Sequence, residues 1–166
     1  SSAKNTLNEL NPSIFVEIHN DAIDENNIIN YLKNVDLVID GTDNFKSRYA
    51  ISDACTLLGI PWVYGAVYRF EGQVSVFNAS KKDGRGGCYR CLFPQSYSYN
   101  TAQNCTEAGV LGVVPGIIGL LQATEALKHL IGIGESLQGR LLNIDLLSMK
   151  MHETKLLPDP ECVACK

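Results

Sequence analysis

No segment of this sequence approaches the run of about 20 apolar residues that a membrane-spanning helix requires. The first residues, Ser1-Ser2-Ala3-Lys4-Asn5, lack the apolar stretch of a secretory leader. Long basic runs are missing as well, and a net charge of −4 gives nucleic acid no electrostatic reason to bind. There is no internal repeat and no low-complexity tract. The G-x-G-x-x-G fingerprint is also missing, which weighs against a stand-alone, zinc-stabilised Rossmann-like dehydrogenase. Histidine is scarce: His19, His129 and His152 are scattered without metal-ligand spacing and read as surface or internally satisfied residues. What is left is a chain of 166 residues, 45% hydrophobic and 19% charged. It is long enough to close one domain, 1–166, around a proper core, with a cytosolic location as the expectation.

Cysteine is the residue the sequence does use in a pattern. Four of its six cysteines form two C-x-x-C pairs, Cys88-Tyr89-Arg90-Cys91 and Cys162-Val163-Ala164-Cys165, about seventy residues apart. A C-x-x-C turn points both sulfurs the same way, so two pairs complete a tetrahedron, and four thiolates around one structural Zn²⁺ is the favoured reading. A redox dithiol and a disulfide framework are the alternatives. Neither pair has the strand-to-helix context of a redox site, and a chain this large and rich in Val, Ile and Leu does not need staples. Cys55, among Ala54, Leu57 and Leu58, reads as core packing. Cys105 stands outside both pairs in a polar loop, with Glu107 close by. It is either a nucleophile with a lowered pKa or a half-buried, inert thiol.

Apolar periodicity gives the architecture. Ser1–Leu10 reads as an amphipathic helix ended by Asn11-Pro12, Ile14–His19 as a short strand, and 21–34 as a helix. Val35–Asp40 has the near-continuous apolar run of a strand buried on both faces, and Lys46–Leu58 the pattern of a helix stopped at Gly59. Pro61–Ala66 is the next strand. This alternation predicts an α/β fold, a Rossmann-like, mostly parallel sheet flanked by helices. The pattern then changes. Gly65–Phe77 reads as two strands around Glu71-Gly72, and 115–131 as the strongest helix, with Pro115 in its first turn. Arg140–Asp145 and Met149–Leu156 read as a closing antiparallel hairpin before the second cysteine pair.

Asp40 and Asp43 fall at and just beyond the end of a central strand, where open α/β sheets bind ligands. A carboxylate there can hold Mg²⁺ beside a nucleotide phosphate with Asn44 bonding alongside; equally, Asp43 or Asn44 can serve only to cap the following helix. Arg48 suits a phosphate or carboxylate ligand, or a structural pair with an acid.

The order of these motifs resembles one family. Asp40-Gly41-Thr42-Asp43-Asn44, Gly65-Ala66 with Glu71-Gly72-Gln73, Cys88-x-x-Cys91, Cys105-x-Glu107-Ala108-Gly109-Val110 and Cys162-x-x-Cys165 follow the sequence of the bacterial E1-like activating enzymes. These are the molybdopterin and thiamine biosynthesis adenylyltransferases of the MoeB and ThiF types, with the HesA group. The resemblance implies ATP- and Mg²⁺-dependent adenylation of the C-terminal Gly-Gly of a small ubiquitin-like sulfur carrier (MoaD/ThiS type), in a homodimer. It implies Asp43 and Asn44 as Mg-ATP residues, Zn²⁺ on Cys88, Cys91, Cys162 and Cys165, and Cys105 as the thiol some members use in sulfur transfer. It also implies that the chain is the C-terminal two-thirds of such an enzyme, lacking the ATP-binding glycine loop. A zinc-stabilised module that binds a ubiquitin-like partner without catalysis is the alternative.

Overall fold

The computed structural model describes residues 2–77, 86–94 and 109–165. Cys105, Glu107 and the polar stretch at 95–103 lie outside the described residues. In chain order the elements are α1 (Ser2–Leu10), α2 (Ile28–Leu32), β1 (Val38–Ile39), α3 (Phe45–Leu58), β2 (Trp62–Tyr68), β3 (Glu71–Phe77), α4 (Tyr89–Leu92), α5 (Val113–Ile131), β4 (Arg140–Asp145) and β5 (Lys150–Lys155). No helix among them is long and apolar enough to cross a membrane.

The strands form one mixed sheet in the order β1-β2-β3-β4-β5. Only β1 and β2 pair in parallel, and the other three ladders are antiparallel. The expectation of a mostly parallel sheet is therefore corrected, for two physical reasons. After β2 the chain reverses at once through Arg69, in the left-handed region at φ 51°, so no crossover helix intervenes. The expected strand at Ile14–His19 has no ladder partner among the described residues, and Phe15 is 87% exposed. A strand exists only where its backbone groups are paired. The helix expected over 21–34 shortens to α2 because Asp24 Oδ1 accepts the backbone N–H groups of Asn26 and Asn27, turning the chain before the helix starts.

The two glycines near the β2–β3 reversal do different work from a turn. Gly72, expected at the turn, lies inside β3, where an added Cβ would sit 2.3 Å from Ile118 Cδ1; Gly65 in β2 stands in the same relation to Gln122. Both let α5 press against the sheet. Strand alternation sorts the rest into two layers. Trp62, Tyr64, Phe77 and Leu141 face α2, α3 and α4, with Tyr89 of α4 fully buried among them. Val63, Val74, Val76 and Ile144 face Val114, Ile118 and Ala126 of α5.

Candidate functional site

The four paired cysteines converge. Cys88 and Cys162 sulfurs are 3.5 Å apart, Cys91 and Cys165 3.5 Å, and Cys88 and Cys91 3.9 Å. All four sulfurs lie within 4.8 Å of one another. Zinc–thiolate bonds of about 2.3 Å in a tetrahedron separate sulfurs by about 3.8 Å, so this donor set fits the ion in spacing and in chemistry. Burial pushes the Cys91 thiol up to about 11 and Cys88 higher still. At Cys162 burial acts in the same upward direction but is outweighed by backbone N–H groups of Ala164 and Cys165, which draw that thiol down to about 7. Four thiolates together therefore require a cation to replace the protons.

The residues between and behind the cysteines explain why the cluster sits where it does. Tyr89 plugs into the aromatic layer, 5.3 Å from the Trp62 ring centroid and 5.4 Å from that of Tyr49. Arg90 forms a two-pronged pair with Asp53 of α3, at 2.7 and 2.6 Å, and lies over the Tyr49 ring. On the C-terminal side, Asp159 N–H donates to Cys91 Sγ at 3.2 Å, an outer hydrogen bond that orients the sulfur. The first C-x-x-C is thus bolted to α3, and the second closes the chain's end over it.

The turn after β1 is gripped from inside. Asp40 is buried and accepts from the Thr42 backbone N–H at 2.8 Å and the Thr42 hydroxyl at 2.7 Å. Arg48, one turn into α3, reaches Asp40 Oδ2 at 3.3 Å and donates to the carbonyls of Thr42 (2.6 Å) and Gly65 (3.2 Å). Its guanidinium lies over the Tyr64 ring. Arg48 thus faces the protein and serves as a structural brace. Asn44 caps α3, its Oδ1 accepting the Ser47 N–H at 2.8 Å. Asp43 is exposed, with Asn44 Nδ2 at 3.4 Å from its Oδ1. Of the residues predicted for a nucleotide, only Asp43 thus presents an uncommitted carboxylate.

Cys55 is buried in α3 with its thiol pushed up to about 12 by that burial and by Asp40, which leaves it inert. His19 and His152 are exposed and His129 half-buried, and none joins the cysteine cluster. Sequence reading missed Tyr89, Arg90 and Asp159 as supports, and Gln122 as a buried polar residue on α5; the signal for Gln122 was a polar side chain among the apolar residues of the inward helix face, which it shares with Glu125.

The model of the ThiF family matches residues 1–164. A sulfur carrier protein adenylyltransferase of Thermus thermophilus is 43% identical over 164 residues, covering 98% of this chain and 60% of that protein. The SAMP-activating enzyme E1 of Haloferax volcanii is 41% identical over 164 residues, 99% of this chain and 59% of its own length. The chain therefore spans about three-fifths of these relatives. Among solved structures, E. coli MccB with ATP superposes with a TM-score of 0.76 at 18% identity, over 98% of this chain and 49% of that one, a likeness of fold. A two-layered mixed sheet, a four-cysteine cluster and matches along nearly the whole sequence agree: the chain belongs to the ThiF family.

Proposed function

We propose that the protein containing this chain adenylates the C-terminal Gly-Gly carboxylate of a small ubiquitin-like sulfur carrier, in the cytoplasm. The observation that carries this is 43% identity with a protein named as a sulfur carrier protein adenylyltransferase. In the reaction a carboxylate oxygen of the carrier attacks the α-phosphorus of ATP, and pyrophosphate departs with the electrons of the broken P–O bond. The product is an acyl adenylate whose AMP is a good leaving group. A sulfur nucleophile then attacks the carboxyl carbon and expels AMP. Asp43, exposed beyond β1, is the residue to hold Mg²⁺, which offsets charge on the phosphates. Asn44 beside it is committed to its cap. Cys105 is the proposed thiol, in the segment leading to α5.

In doubly wound folds the phosphate loop follows the first strand, at the switch point beside strands such as β1. Among the described residues the outer edge of β1 has no paired strand, and Ile39 there is exposed, which suits further strands of a longer protein pairing at that edge. The four paired cysteines hold Zn²⁺ as a structural ion that closes the C-terminal tail against α4.

Incubating the full-length protein with ATP, Mg²⁺ and a Gly-Gly-ended carrier should add one adenylyl group to the carrier, read by intact mass. Deleting the terminal Gly-Gly should abolish the addition. A carrier that binds and gains no adenylyl group would favour the binding-module reading.

A homodimer through α5 completes the proposal. The helix turns Gln122 and Glu125 inward and leaves Val113, Leu120, Leu127, Leu130 and Ile131 outside. None of its fully exposed residues is charged. Gly116 and Gly119 have open space around them at its start, and the large residues cluster towards its end. Two copies crossing antiparallel would set large onto small on both sides of a twofold axis. Leu127→Glu should weaken the dimer at least about 30-fold, the equivalent of a hot-spot loss of about 2 kcal/mol, by sedimentation equilibrium. An unchanged dimer in both Leu120→Glu and Leu127→Glu would rule this face out.

A further inference from the structure

Of the two polar side chains that α5 turns inward, Glu125 has a local explanation: it accepts the Leu137 N–H at 2.8 Å and pairs with Lys128. Gln122 does not act locally. Its Nε2 donates to Asp40 O at 2.7 Å and to Val63 O at 3.2 Å. Asp40 N–H already donates to Val63 O at 3.0 Å, the last backbone rung between β1 and β2. Gln122 thus caps the parallel ladder where β1 leaves the sheet. A buried amide costs free energy unless it is bonded, and a methionine of similar volume would fill the space without that cost. The amide is accounted for by the two carbonyls it satisfies.

Gly65 makes the approach possible. A Cβ there would fall 2.4 Å from Gln122 Cδ and 2.6 Å from both amide atoms. On the opposite face of the turn, Arg48 holds the Asp40 side chain and the carbonyls of Thr42 and Gly65. The segment from Asp40 to Thr42 is therefore clamped from both sides of the sheet, by α3 and by α5. Asp43 is the next residue.

We infer that Gln122 is a positioning residue: through Asp40 O and Val63 O it fixes the turn that presents Asp43, and so sets the affinity for Mg-ATP. This rests on the reading of Asp43 as the Mg-ATP residue. It also makes the fit between α5 and the sheet, including the glycine at position 65, part of the nucleotide site.

The test uses the full-length protein and ATP alone, titrated calorimetrically at saturating and at limiting Mg²⁺, at a temperature where circular dichroism shows every variant folded. Gln122→Met keeps the volume and removes the donor. Gly65→Ala leaves Gln122 intact and displaces the flexible end of its side chain. Asp43→Ala reports on the underlying reading. Gln122→Met and Gly65→Ala should each weaken Mg-ATP binding by about tenfold to a hundredfold, the scale of a 1 Å misplacement, and raise the Mg²⁺ concentration needed for half-maximal binding. The double variant should be little worse than either single one, because both break the same contact. A lowered Tm with unchanged Kd and unchanged Mg²⁺ dependence in both variants would reduce Gln122 to a packing role and overturn the inference. If Asp43→Ala alone leaves Mg²⁺-dependent binding intact, the reading of Asp43 fails and takes this inference with it. If Asp43→Ala weakens binding and the other two do not, only the inference fails.

Discussion

Replacing Cys88 or Cys162 with serine should release zinc and loosen two distant segments together, the α4 turn and the C-terminal tail. In small zinc-stabilised peptides metal binding supplies about 10–16 kcal/mol, while a whole domain is stable by only about 5–15 kcal/mol. Loss of one ligand is therefore expected to cost a large part of the domain's stability, on the order of 5 kcal/mol, with a Tm drop to match. The anchors make the effect spread. Tyr89 and Arg90 sit between the first two cysteines and reach the aromatic layer and Asp53, so disorder at the metal passes directly into α3. Native mass spectrometry counts the zinc, and limited proteolysis reports cleavage within 86–94 and 156–165. Chelation that strips the metal and leaves both segments resistant would contradict a structural role. The pH dependence has a fixed sign. Without a cation Cys88 and Cys91 are held protonated, Cys91 up to about 11, so binding must expel their protons and zinc affinity falls as pH falls. Calorimetry in buffers of different ionisation enthalpy would register the released protons.

Asp43→Ala should reduce carrier adenylation by about a hundredfold or more, the scale of losing one preorganised charge-stabilising group, while leaving Tm nearly unchanged. The reason is exposure: Asp43 is exposed and Asn44 Nδ2 touches its Oδ1 only at 3.4 Å. Asn44→Ala should show the opposite balance. It removes the side chain that accepts the Ser47 N–H at the start of α3, which costs about 1 kcal/mol of stability, with a smaller effect on turnover. These neighbours thus separate ligand binding from helix capping, the two roles sequence alone left open for them. Equal loss of stability in both variants, with equal activity, would assign capping to the pair and remove Asp43 from the site.

The cysteine cluster was legible because its chemistry depends on residue type and spacing: C-x-x-C twice has few other uses in a chain of this composition. The helices α3 and α5 were legible from periodicity, with Gly59 and Gly132 ending them in the left-handed region at φ 72° and 74°. Residues whose meaning depends on a distant partner were not. Ile14–His19 has a strand's composition but no partner among the described residues to pair with. Gly72 reads as a turn glycine and is instead a contact glycine under Ile118. Arg48 has the position of a phosphate ligand, yet the carbonyl of Gly65, which claims it, lies 17 residues away. Gln122 bonds across 82 residues to Asp40, a relation that no local window contains.

The most direct test is isotope exchange between labelled pyrophosphate and ATP, catalysed by the full-length protein with a Gly-Gly-ended ubiquitin-like carrier and Mg²⁺. Reversible acyl-adenylate formation predicts exchange that requires the carrier, is lost when its terminal Gly-Gly is removed, and is lost in Asp43→Ala. Exchange that proceeds equally without the carrier, or no exchange although carrier and ATP both bind, would contradict the assignment of this fold to carrier activation.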